Sequence, residues 1–249
     1  MLFNKDKKYL DAPVSGADNY LKQTKIFAEL PENIILCPVA GLTKIVENNY
    51  KTKHVRLGSD GDVYIFEKHN CAFATGFGMG APALAAMMEV LTALGAKNFV
   101  LTGYAGSLQK NLAVGDIVLC SGAVRDEGVS SSYLPPGDMA YPDKNLTAKL
   151  KAAFEENKIP CALGPAWTTD VLFRETASEI KHYQANGVQT VEMEAAAAFA
   201  ISEHYKTRCA AAFVISDQLA HLKWEPAFGH QKIHSSMQHI LKIILTIFG

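Results

Sequence analysis

Apolar residues along the chain gather into runs of two kinds that take turns. Short continuous runs at 33–37, 71–75, 98–102 and 117–124, rich in aliphatic residues and bounded by turn formers, predict buried strands, with a hairpin strand at 63–66. Among them, APALAAMMEVLTAL at 81–94 has the length and composition of a helix stopped by Gly95. The second half alternates more regularly: helices at 146–157, 176–185, 194–204 and 231–247 are interleaved with strands at 162–168, 188–191 and 209–216. Continuously apolar strands are those covered on both faces, so the pattern predicts an α/β fold around a mixed sheet. In such folds ligands sit beyond the carboxyl ends of strands, which directs attention to the residues that follow them.

Composition narrows the possibilities. The chain has 249 residues and no linker, repeat or low-complexity tract, so a single domain over 1–249 is expected. Hydrophobic residues make up 49% and charged residues 20%, which excludes a disordered chain. Lys plus Arg number 24 against 25 Asp plus Glu, leaving a formal charge of -1 and no broad basic field for nucleic acid or an anionic membrane. No apolar run approaches the roughly 20 residues that span a bilayer. Cys37, Cys71, Cys120, Cys161 and Cys209 are odd in number and widely spaced, with no CxxC pair, and read as reduced thiols. The start, MLFNKDKKYLD, has no apolar segment after its basic residues, so a cytoplasmic location is expected. His230 and His234 lie four apart without a third ligand, and no metal site is expected.

Four segments carry candidate chemistry. GFGMGAP at 76–82 follows a strand and opens a helix, so its backbone N–H groups can meet an anion or a sugar hydroxyl. It lacks the GK[ST] of a phosphate loop, and a tight turn needing positive φ also accounts for it. GYAG at 103–106 reads as a second glycine turn after an apolar strand. VEMEAAAAF at 191–199 puts Glu192 and Glu194 where a strand gives way to a helix. The helix macrodipole accounts for one of these acids, and paired carboxylates there can also accept bonds from vicinal sugar hydroxyls. AAAFVISD at 210–217 delivers Asp217 to the sheet edge, as a helix cap or as a partly desolvated general acid.

Together and in this order these segments, with ALGAKNFVLTGYAG, VGDIVLCSGAVRDEG and WTTDVLFRET, resemble the nucleoside phosphorylase family. That family includes hexameric purine nucleoside phosphorylase, uridine phosphorylase and related nucleosidases, and the resemblance spans about 33–224. It implies a three-layer α/β/α sandwich with a central mixed, barrel-like sheet. It also implies phosphorolysis of a nucleoside N-glycosidic bond to free base and ribose 1-phosphate, with inorganic phosphate as co-substrate and no cofactor. Glu194 would then bind the ribose 2′ and 3′ hydroxyls, Met193 and Met79 would pack on the sugar, and Glu192 would lie beside the base or the hydroxyls. Asp217 would be the acid at purine N7, and purine is favoured because uridine-specific members usually lack it. For the base, the resemblance points to Leu172 and Phe173 as stackers, Gly106 alongside them, and Arg174 as the nearest reading donor. It implies a homo-oligomer, dimer or hexamer, with sites completed across an interface.

The phosphate end departs from the family pattern. A dianion beside C1′ needs several donors to offset its desolvation. The family's Gly-Asp-Pro-x-Arg loop corresponds to LCPVAGLTK at 36–44, its next arginine to Leu101, and its phosphate-binding Ser or Thr to Tyr104. Gly103, Tyr104, Lys44 and Arg56 are the remaining phosphate candidates, with Thr43 a further polar substitute and Arg56 standing for an arginine that a neighbouring subunit contributes. The nucleosidases' water-activating Glu has no counterpart at 39–44, Glu47 being nearest. Three readings stay open: phosphorolysis through altered residues, hydrolysis by a nucleosidase, and a nucleoside-binding protein without turnover. Arg125 and Glu127 read as structural.

Overall fold

A computed structural model describes residues 7–39, 41–57 and 61–249. The basic start at 1–6 that bears on a leader, and Ala40 of the early loop, lie outside the described residues. In chain order the elements begin with α1 (Ala17–Thr24), β1 (Asn33–Leu36), α2 (Gly41–Asn49), β2 (Thr52–Arg56), β3 (Asp62–Phe66) and β4 (Ala72–Thr75). Then come α3 (Ala81–Ala93), β5 (Asn98–Ser107), β6 (Ile117–Asp126), β7 (Met139–Ala140), α4 (Lys144–Glu156) and β8 (Ala162–Thr169). The chain closes with α5 (Ala177–Ala185), β9 (Thr190–Glu192), α6 (Ala195–Tyr205), β10 (Arg208–Gln218), β11 (Glu225–Pro226) and α7 (Gln231–Phe248).

Five strands close on themselves. β10 runs parallel to β5 and antiparallel to β6; β6 runs parallel to β8 and β8 to β9, and β9 returns antiparallel to β5. From β5 the sheet continues outward through β1, β4, β3 and β2. This is the three-layer α/β/α arrangement with a mixed, barrel-like sheet that the resemblance implied.

Successive side chains of a strand point to opposite faces, and here both faces are covered. Ile34, Leu36, Phe99, Leu101 and Phe213 enter a core with α3 and α6, while Ile35, Val100, Ala212 and Val214 enter another with α2, α4 and α7. That is why the strand runs are continuous in apolar character. The alanines of α6 are buried from Ala195 to Ala198, and their small side chains let this helix lie between α3 and the sheet. α7 is amphipathic instead, burying Ile233, Met237, Ile240, Leu241 and Ile244 at helical spacing.

The predicted glycine turn at 103–106 is strand rather than turn. Gly103 and Gly106 lie inside β5, paired with Phe213 and Asp217 of β10. A Cβ on Gly106 would stand 2.5 Å from Leu219 Cδ1 and 3.1 Å from Asp217 Oδ2. The glycine there serves a close approach, not a reversal of the chain. No helix among the described residues is long and apolar enough to cross a membrane.

Candidate active site

A cavity of about 180 Å³ opens at the carboxyl ends of β1, β5, β9 and β10. Pro38 and Val39 line it after β1, Tyr104 and Gly106 from β5, Glu192 to Glu194 from the end of β9, and Asp217 from β10. Met79 of the first glycine turn and Leu172 complete the part foreseen from sequence. Glu175, Trp224 and Phe228 line it as well.

The turn before α3 is held in conformations that glycine supplies: Gly76, Gly78 and Gly80 have φ of 75°, 92° and 97°. Its product is one aimed donor, because Gly80 N–H donates to Glu194 Oε1 at 2.6 Å. Glu194 therefore does not cap α6 with its side chain, although it stands at the N-cap position. Glu192 does that work. Its Oε2 accepts from the N–H groups of Glu194 and Ala195 at 2.8 and 2.7 Å, and its Oε1 accepts from the Thr168 hydroxyl. Of the two acids, Glu192 is thus the one the helix start accounts for. Burial pushes both carboxyls above the ordinary range, Glu192 further through the charge of Glu194, while the donors on each pull the other way.

Asp217 owes its position to an irregularity. Along the β10–β5 pairing Ile215 lies opposite Ala105 and Asp217 opposite Gly106, so Ser216 is one residue too many: a β-bulge. The bulged Ser216 hydroxyl donates to Asp217 Oδ1 at 2.7 Å, and Trp224 Nε1 donates to Oδ2 at 2.9 Å. Trp224 reaches back because β11 pairs with the end of β10, Pro226 opposite Asp217.

Beyond β8 a short 3-10 turn, Leu172–Arg174, splits the residues read as base contacts. Leu172 faces the cavity, whereas Phe173 is 89% exposed and Arg174 is directed to solvent, its charge acting on Glu179. The next residue, Glu175, turns inward. Burial first, then the charges of Asp217 and Glu179, push its carboxyl up to about 7. Glu175 belongs to the WTTDVLFRET segment, which assigns it no role, and Trp224 and Phe228 carry no motif, flanking β11 on the connection to α7.

The phosphate candidates are not brought together. Tyr104 lines the cavity, with its hydroxyl against Gly41, where an added Cβ would be only 2.7 Å away. Gly103 is buried beneath Pro38, and Lys44 and Arg56 are exposed on α2 and at the end of β2, outside the cavity. Thr43 shares a hydrogen bond with Thr75 at 3.4 Å. Among the described residues none that lines the cavity is Lys, Arg or His. Arg125 bonds Ser130 and the Pro135 carbonyl, and Glu127 accepts from the N–H groups of Val129 and Ser130, matching their structural reading.

Residues 33–247 match the family model described as the phosphorylase superfamily. Similar curated proteins include a guanosine phosphorylase of Halorubrum lacusprofundi, 30% identical over 57% of this chain and 59% of its own length. A uridine phosphorylase of Treponema pallidum is 31% identical over 55% and 58%, and a DeoD-type purine nucleoside phosphorylase of Bacillus cytotoxicus 29% over 58% and 62%. The matched segments thus span about three-fifths of these relatives' length. Among solved structures, purine nucleoside phosphorylase from Toxoplasma gondii in complex with immucillin-H superposes with a TM-score of 0.78 at 20% identity, covering 87% of this chain and 90% of that one.

Proposed function

From the premise that this chain belongs to the phosphorylase superfamily, we propose that it cleaves the N-glycosidic bond of a purine nucleoside by phosphorolysis, releasing free base and ribose 1-phosphate. The observation that carries this reading is the sharing of one cavity by Asp217 and the Glu192-Met193-Glu194 segment. In it, Glu194 accepts hydrogen bonds from the ribose 2′ and 3′ hydroxyls while Gly80 N–H holds its other side. Met79 and Met193 cover the sugar, and Leu172, Trp224 and Phe228 bound the base. Asp217 serves as the acid at N7 as the C–N bond breaks and charge builds on the leaving base. Fixed carboxylates near C1′ favour the cationic ribosyl group more in the transition state than in the ground state. Gly106 lines the cavity beside Asp217, and its missing side chain leaves space that Leu219 fills.

Phosphate then attacks C1′ from the side of Tyr104, Val39 and Pro38. Because no cationic side chain among the described residues lines that side, assembly as a homo-oligomer is part of the proposal, Arg56 of a second copy being the candidate donor. The same observation favours a second reading, in which water is the nucleophile and the product is free ribose. The deciding experiment follows base release chromatographically from guanosine, inosine, adenosine and uridine, each with and without phosphate. Release that requires phosphate supports phosphorolysis, equal release without it supports hydrolysis, and release from uridine alone overturns the purine assignment.

A further inference from the structure

We infer that Glu175 reads the base, accepting hydrogen bonds from an N–H or amino edge of a purine, and so sets which base the cavity takes. The inference rests on the nucleoside-cleavage reading and gives a role to a residue of the WTTDVLFRET segment that the resemblance leaves without one. Glu175 lines the cavity with Leu172 and Asp217. Its backbone is pinned, since the adjacent Thr176 closes a capping box with Glu179 at the start of α5. The charges that reach its carboxyl are Asp217 from β10 and Glu179 from α5, both negative, and Arg174 acts on Glu179 instead.

The other polar groups at this end are already engaged. Ser216 and Trp224 donate to Asp217, and among the described residues no donor is directed at Glu175. A partly buried carboxyl facing two acids with no donor of its own is costly to the empty protein, and buried polar groups as a rule have partners. A bound base with adjacent donors supplies the missing partner. An ionised carboxylate only accepts, through two oxygens side by side. Guanine offers two neighbouring donors, N1–H and the 2-amino group; hypoxanthine offers one, and unsubstituted purine offers none on its six-membered ring.

The test compares guanosine, inosine and purine riboside as substrates of the wild type, Glu175→Gln and Glu175→Ala. Wild type is expected to prefer them in that order. Glu175→Ala is expected to lower kcat/KM for guanosine about 10- to 100-fold while leaving purine riboside within about twofold, with Glu175→Gln intermediate. An equal fall on all three substrates, or no fall on guanosine, overturns the inference. Calorimetric binding of the free bases guanine and purine separates this from the reaction itself. Guanine binding that depends on Glu175 in a protein that releases no base upholds the reader and fails the cleavage reading. Base release with guanine binding indifferent to Glu175 does the reverse.

Discussion

At one end of the cavity every carboxyl oxygen of Glu192 and Asp217 already carries a donor; at the other, around Pro38, Val39 and Tyr104, the walls are apolar or aromatic, with no cationic side chain among the described residues. The first end is wired by the chain's own backbone and its neighbours before anything binds, so its groups need no reorganisation to receive the proposed nucleoside. The second offers an entering anion little in return for its lost water. In the proposed function, holding a nucleoside and capturing a nucleophile are therefore separable, and the second depends on what comes from outside the cavity.

The contrast breaks most visibly at the acid. Asp217→Asn is expected to slow base release about 10²- to 10⁴-fold while nucleoside still binds, as read by single-turnover kinetics and calorimetry. An unchanged rate would move the chemistry away from the wired end. Next in size, Glu194→Gln should lower kcat/KM about 10- to 100-fold. The loss should be smaller on 2′-deoxynucleosides, which lack one of the two hydroxyls. Gly80→Ala tests whether the turn matters through its backbone: at φ 97° and ψ 161° only glycine is at ease. A cost of about 1–3 kcal/mol in a urea melt is expected, with a partial copy of the Glu194→Gln kinetics.

The smallest effect concerns pH. Glu175 is raised from 4.5 to about 7 in the folded chain, so between those values the folded state binds more protons than the unfolded one. Stability is therefore lost as pH rises through that window. Glu175→Gln should flatten the fall in melting temperature between pH 5 and pH 8, and a melt whose pH dependence is unchanged would relocate the strained carboxyl elsewhere.

Where burial alone dictates structure, the sequence was readable. The strands at 33–37, 71–75 and 209–216 and the helices at 81–94 and 231–247 match β1, β4, β10, α3 and α7 to within two residues at each end. The sequence shortens β5 because Gly103 and Gly106 look like turn formers, whereas the missing side chain of Gly106 admits Leu219 against a strand. Asp217, Glu192, Met193, Glu194, Met79, Gly106, Leu172 and Tyr104 converge on one cavity. Phe173 and Arg174 do not, since a 3-10 turn sends consecutive side chains about 120° apart. The role of Glu175 and the places of Trp224 and Phe228 are not legible in the sequence, because only the closing of the 170s and 220s segments over β10 gives them a common neighbour.

The extra residue at Ser216 makes the chemistry a matter of counting. Side chains on a strand alternate in facing, so parity decides which residue looks into the cavity. Deleting Ser216 would bring β10 from Phe213 to Asp217 in the three steps that β5 takes from Gly103 to Gly106, so the acid would keep its partner but lose the hydroxyl that donates to it. A relative that matches this chain letter for letter except for that insertion would share its shape and hold the same carboxyl through Trp224 alone.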